Sequence, residues 1–215
     1  DLVVSGNVSF YNQTKEIGIK PTPSIGGVGL IKDYNKMITM DFKGVNNLVL
    51  LIGKTEGHID QSLFARVILD EKNGPPPEVN LFNEKNNGET LLQLAKKDYI
   101  KSAHDISLGG LITAISKMCI KGNKGIELKQ TNLLINEIEY FLSEDQGRYI
   151  IEIEKSDFKD VSQILQKNSV HYEEVGKITD KFMIINEKTK VTIDEIGRAH
   201  VWTPVTDVSR MPSSA

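Results

Sequence analysis

The chain has 215 residues, 39% hydrophobic and 26% charged, with a formal net charge of −3. That length accommodates one or two domains of an ordinary soluble globular protein, and the charge balance gives no basic footprint for nucleic acid. No apolar run approaches a membrane span, and a single cysteine, Cys119, excludes an internal disulfide and suits a reducing compartment.

The first dozen residues alternate as a strand would. Ser5, Asn7, Ser9 and Tyr11 fall on one face, and Val4, Gly6, Val8 and Phe10 on the other. Asn7 offers a neutral hard oxygen, Ser9 a hydroxyl toward the same space, and Gly6 permits close approach to the backbone. The plain alternative is an edge strand with a solvated polar face. Two N-x-S/T sequons here, at Asn7 and Asn12, read as by-products of the motif. A loop over Gln13 to Lys20 leads to Pro21 and Pro23, and Ile25 to Ile31 reads as a glycine-bearing strand. Gly26, Gly27 and Gly29 lack the spacing of a phosphate-cradling loop, so they read as close-packing positions.

Leu48 to Ile52 is a short apolar run, read as a buried strand. Ile59 to Leu69 reads as a helix, Gly74 to Pro77 as a turn-rich linker, and Glu89 to Tyr99 as a helix. The Ser102-Ala103-His104-Asp105 segment leads through Gly109-Gly110 into a helix whose apolar stripe is Leu111, Ala114, Ile115 and Met118. Cys119 lies on that stripe and reads as a packing thiol. Asn123 and Gly125 punctuate its end, and Leu133 to Leu142 is a second, shorter helix. Arg148 to Ile153 reads as a strand, Asp157 to Gln166 as a helix, and Val170 to Ile178, Phe182 to Ile185 and Val191 to Ile193 as strands. Interleaved strands and helices predict an α/β or α+β fold, a mixed sheet covered by helices.

His104-Asp105 resembles a dyad, but adjacent residues on a strand face opposite ways, so Asp105 is expected to cap the helix at Leu108 to Gly110. Ser143-Glu144 with Arg148 reads as a buried polar turn with an ion pair as one form of it, and His58 and His171 as surface residues.

Four landmarks carry a family resemblance. S-G-N-V-S-F-Y-N-Q-T from Ser5, P-T-P-S-I-G-G-V-G-L-I-K-D from Pro21, S-A-H-D-I-S-L-G-G-L from Ser102 and F-L-S-E-D-Q-G-R-Y-I-I from Phe141 occur in order. They resemble the signatures of the phosphoribosylformylglycinamidine synthase family, within the aminoimidazole ribonucleotide synthetase-like superfamily. Leu108 departs from that pattern, standing where an acidic residue is usual.

The resemblance implies a C-type domain preceded by the last strand of an N-type ATP-binding domain. Residues 1–15 would end the second N-type domain and 16–195 would form the second C-type domain. It implies a cytoplasmic ATP-dependent ligase of purine biosynthesis, acting on formylglycinamide ribonucleotide with Mg²⁺ and ammonia from a glutaminase partner, with a small accessory subunit in the small form. Gly6 would contact ATP, Asn7 would ligate Mg²⁺ and Ser9 would contact the ribonucleotide. The catalytic histidines and acidic metal ligands would lie upstream, so the chain is expected to be an inactive fragment.

Other superfamily members, of the aminoimidazole ribonucleotide synthetase or selenophosphate synthetase type, share the fold but not S-G-N-V-S-x-Y-N. A non-catalytic binding module is the alternative of a different class.

Residues Ile196 to Ala215 show no hydrophobic period and resemble a translated sequencing adapter, with Trp202 arising from a TGA codon. They are expected to form no packed element.

Overall fold

The computed structural model describes residues 5–6, 11–19 and 22–202, with 198–202 described by backbone alone. The chain separates into two compact units, residues 1–35 and 36–215.

In the first unit, β1 (Gln13–Thr14) and β2 (Ile17–Gly18) form a two-stranded antiparallel hairpin inside the segment expected to be a loop. Ser5, Gly6, Tyr11 and Asn12 carry no strand, and Asn7, Val8, Ser9 and Phe10 lie outside the described residues. Ile25 to Ile31 is not the strand that its composition suggested. Its apolar side chains are exposed, so no ladder or core fixes an extended conformation there.

The second unit is built on a seven-stranded mixed sheet. Its strands are β3 (Leu48–Ile52), β4 (Ile100–Asp105), β5 (Gly125–Leu128), β6 (Tyr149–Ile153), β7 (Tyr172–Thr179), β8 (Phe182–Ile185) and β9 (Thr189–Thr192), in the order β4-β6-β3-β7-β5-β8-β9. Every described pairing in it is antiparallel except β5 with β8.

The helices α1 (Leu63–Val67), α2 (Leu81–Lys96), α3 (Gly110–Gly122), α4 (Glu137–Leu142), α5 (Phe158–Lys167) and α6 (Ile193–Trp202) accompany it. Central strand β3 is buried at all five positions, and its alternation divides the core. Val49 and Leu51 join Leu111, Ala114, Ile115, Met118 and Phe141 on the α3–α4 face. Leu48, Leu50 and Ile52 join Leu94, Val161 and Leu165 on the α2–α5 face.

Several boundaries differ from the sequence reading for local reasons. Helix α2 begins eight residues before the expected Glu89 start, because Asn80 caps it by accepting the Asn83 amide at 3.0 Å. Ser62 and Asn136 cap α1 and α4 in the same way, shortening both expected helices. Gly125 opens β5 rather than merely ending α3: a Cβ there would lie 2.1 Å from the Phe182 carbonyl oxygen, so glycine permits β8 to approach.

The last helix departs most. Thr192 Oγ1 accepts the Glu195 amide at 3.2 Å, and Glu195 Oε2 accepts the Thr192 amide at 2.8 Å. This reciprocal capping drives helix α6 across the junction at Ile196, and Ile196 packs against the core. The expectation of no packed element over Ile196 to Ala215 therefore fails at its start. Residues 203–215 lie outside the described residues.

Candidate functional site

Two of the landmarks meet in the second unit. Strand β4, which ends in His104-Asp105, pairs with β6, which follows the Ser143–Arg148 loop, with Asp105 opposite Tyr149. The Ile106 amide donates to the Arg148 carbonyl at 3.0 Å. Glu144 Oε1 accepts the amides of Gly109 at 2.8 Å and Leu63 at 2.7 Å. Glu144, not Asp105, therefore serves the N-terminus of α3, where Gly109 offers no side-chain cap. Gly110 adopts φ +69, and a Cβ there would stand 2.7 Å from the backbone of 141–143, so this junction closes only around glycine.

Arg148 is the centre of the loop and is 1% exposed. Its Nη1 donates to Thr55 Oγ1 at 3.0 Å, and its Nη2 donates to the Ser143 carbonyl at 2.7 Å and lies 3.7 Å from Asp145 Oδ2. The buried polar turn is present, but the ion pair of Arg148 is with Asp145 and not with Glu144, whose carboxylate is taken by the Leu63 and Gly109 amides. Burial lowers the Arg148 pKa, and the Asp145 carboxylate opposes that shift. Asp145 also accepts three consecutive amides, Glu56 at 3.0 Å, Gly57 at 3.1 Å and His58 at 3.0 Å. The fourth landmark thus holds the 53–58 loop through one carboxylate. Gly53, at φ +90, would bring a Cβ to 2.7 Å from the Gly147 carbonyl oxygen.

These loops and the start of α2 enclose a cavity of about 660 Å³, lined among others by Lys54, His58, Asn83, Glu84, Asn87, Gln146 and His171. His58 and His171 both line this cavity, His58 half-buried and His171 exposed as expected of a surface residue. Sequence reasoning missed its α2 wall. The signal was present: Asn80, Asn83, Glu84 and Asn87 recur at helical spacing as a polar stripe.

His104 and Asp105 do meet, with Nδ1 3.0 Å from Oδ1, although they are neighbours on a strand. His104 Nε2 is buried and has no partner among the described residues. Burial pushes the Cys119 thiol up to about 12, as expected of a packing residue. Of the sequence-predicted site residues, Gly6 is exposed in the first unit, with no atom within 4 Å of a Cβ placed there. Asn7 and Ser9 lie outside the described residues. Among the described residues no group of three or more His, Cys, Asp or Glu side chains is placed to hold a metal. None of the described helices is long and apolar enough to cross a membrane.

The fold and the landmark loops define a domain of the aminoimidazole ribonucleotide (AIR) synthetase type. Residues 44–185 match the model of the family described as "AIR synthase related protein, C-terminal domain", and the chain belongs to that family. The phosphoribosylformylglycinamidine synthase subunit PurL of Pelagibacter ubique is 68% identical over 198 residues, covering 92% of this chain and 27% of the relative. The PurL subunit of Bartonella henselae is 37% identical over 203 residues, covering 94% of this chain and 28% of the relative. The chain thus spans little more than a quarter of the length of these relatives.

Among solved structures, Thermotoga maritima PurL complexed with FGAR is similar at a TM-score of 0.63 and 16% identity, over 76% of this chain and 30% of that one. Escherichia coli HypE, a hydrogenase maturation protein, is similar at a TM-score of 0.51 and 12% identity, over 72% of this chain and 51% of that one. These two likenesses show a shared fold, which hosts more than one function.

Proposed function

We propose that this chain is the C-terminal portion of a phosphoribosylformylglycinamidine synthase, the cytoplasmic ligase that converts formylglycinamide ribonucleotide to formylglycinamidine ribonucleotide in purine biosynthesis. The observation that carries this reading is the 68% identity to the Pelagibacter ubique subunit over 92% of the chain.

In the reaction proposed for the complete enzyme, ATP phosphorylates the substrate's amide oxygen, giving an iminophosphate and ADP. Ammonia, supplied from glutamine by a partner subunit, then attacks the activated carbon, and phosphate leaves. Gly6 has open space on its Cα, so a nucleotide can approach the backbone there. Ser9 donates its hydroxyl to the ribonucleotide. Asn7 would contribute an oxygen toward Mg²⁺, which when bound would supply charge neutralisation to the phosphates.

Residues 1–15 then end the second N-type domain, 16–195 form the second C-type domain, and 196–215 derive from a sequencing adapter. Spanning 27% of that relative's length, the chain is not by itself the catalytic unit.

The test is a chimera in which residues 1–195 replace the matching segment of the Pelagibacter ubique subunit. ATP- and ammonia-dependent amidine formation is expected. A folded chimera without that activity would overturn the reading. Activity in the isolated chain would overturn the fragment assignment.

A further inference from the structure

Asparagine is followed by glycine twice in the chain, at Asn73-Gly74 and at Asn87-Gly88. Such a pair is chemically reactive. Glycine has no Cβ to hold its amide nitrogen away from the preceding side chain, so that nitrogen can reach the carboxamide carbon. The structure treats the two pairs in opposite ways.

Asn87 is 6% exposed, and its Nδ2 donates to the Gly147 carbonyl at 2.9 Å. Gly88 lies inside α2, where its amide is committed to the carbonyl one turn back. Ring closure there needs the helix to open first.

Asn73 and Gly74 lie on the exposed loop between α1 and α2. Neither the Asn73 side chain nor the Gly74 amide has a hydrogen-bond partner among the described residues. The loop is held on either side of them. Gln61 Nε2 donates to the carbonyls of Lys72 at 3.1 Å and Gly74 at 3.0 Å. Gly74 takes φ +108, and a Cβ there would stand 2.6 Å from Asp60 Cγ, so glycine alone suits this turn.

We propose that Asn73 is a site of spontaneous deamidation, with water as the co-reactant. The Gly74 nitrogen yields its proton to solvent and attacks Asn73 Cγ. The N–Cγ bond forms, the Cγ–Nδ2 bond breaks, and Nδ2 takes up a proton and leaves as ammonia. Water then opens the cyclic imide at either carbonyl, leaving an aspartyl or an isoaspartyl linkage; nothing is oxidised or reduced. Each product adds a carboxylate to a loop that already carries Asp70 and Glu71. The isoaspartyl form also inserts a backbone methylene between the two carbonyls that Gln61 holds, so that clasp is lost. The site is independent of the ligase reading.

Lys72 and Lys85 place the two pairs on separate tryptic peptides, 73–85 and 86–96. The test incubates the full chain in mildly alkaline buffer, folded and in urea. Mass spectrometry follows the exchange of NH₂ for OH in each peptide, and enzymatic carboxyl methylation reads isoaspartyl linkages. In the folded chain Asn73 is expected to convert at least tenfold faster than Asn87. In urea the two rates are expected to agree within threefold. Asn73→Gln is expected to keep its melting temperature and to form at least tenfold less isoaspartate. No conversion at Asn73 in the folded chain, equal folded rates at the two sites, a tenfold difference that persists in urea, or an undiminished isoaspartate yield in Asn73→Gln would overturn the proposal.

Discussion

Two glycine-bearing landmarks of the same family behave in opposite ways. In the second unit, Gly110 adopts positive φ, and a side chain there would collide with backbone at 2.7 Å. In the first unit, Gly26, Gly27 and Gly29 have no atom within 4 Å of a Cβ position. Their neighbours Ile25, Val28 and Leu30 are 91%, 105% and 91% exposed. The second unit's motif residues are explained by its own packing. Those of the first unit, Gly6 included, find no such packing among the described residues, and the proposed function assigns Gly6 a role toward a ligand. A shared signature can therefore record either a fold constraint or a chemical one, and the space around each glycine separates the two.

The sharpest break of this contrast is at Arg148. Arg148→Ala leaves Asp145 buried without its cation and frees the Ser143 carbonyl and Thr55. A loss of about 3–5 kcal/mol is expected, as for a buried pair stripped of one partner. Urea unfolding measures it, and a change below about 1 kcal/mol would show that the loop is not held by this residue.

A smaller effect is expected from acid. Burial disfavours the Glu173 carboxylate, but hydrogen bonds from His171, Thr131 and Tyr140 together outweigh it and hold the pKa below its usual 4.5. A depressed folded pKa contributes stability above the unfolded value and loses it as pH falls through the folded one. The chain should therefore lose stability as pH drops below about 4.5. Denaturation midpoints across that window should flatten in Glu173→Gln. An unchanged slope would place the acid sensitivity elsewhere.

Cys119 gives the smallest effect on stability and a clear one on reactivity. With its thiol raised to about 12 by burial, it should react with a disulfide reagent at pH 8 no faster than the chain opens. Reaction at the rate of a free thiol would contradict its burial.

Much of this architecture was legible in the residues. The run Leu48 to Ile52 is buried on both faces and became β3, and the stripe Leu111, Ala114, Ile115 and Met118 became the buried face of α3. A continuous apolar run reports a strand covered on both faces, and a helical stripe reports a helix covered on one. Such patterning failed where a cap set the boundary, as at Asn80, and where long-range geometry chose the partner. Nothing local to Asp105 shows that Glu144, far along the chain, takes the α3 amide. The packing of Ile196 was missed because T-x-x-E at Thr192 and Glu195 starts a helix whatever follows it. The proposed site was legible only as a string: Gly6, Asn7 and Ser9 are named by a motif, and no packing in the described residues marks them.

The central claim is that the landmark of the first unit serves chemistry while that of the second serves the fold. It is tested by comparing Gly6→Ala and Gly110→Ala in the same chimera, reading melting temperature and kcat/KM together. The account predicts that Gly6→Ala keeps its melting temperature and loses activity, because its Cβ meets nothing among the described residues. It predicts that Gly110→Ala melts at a lower temperature, strained by its positive φ and its contact with 141–143. The contrary result, a destabilised Gly6→Ala with full activity beside a Gly110→Ala of unchanged stability, would contradict it.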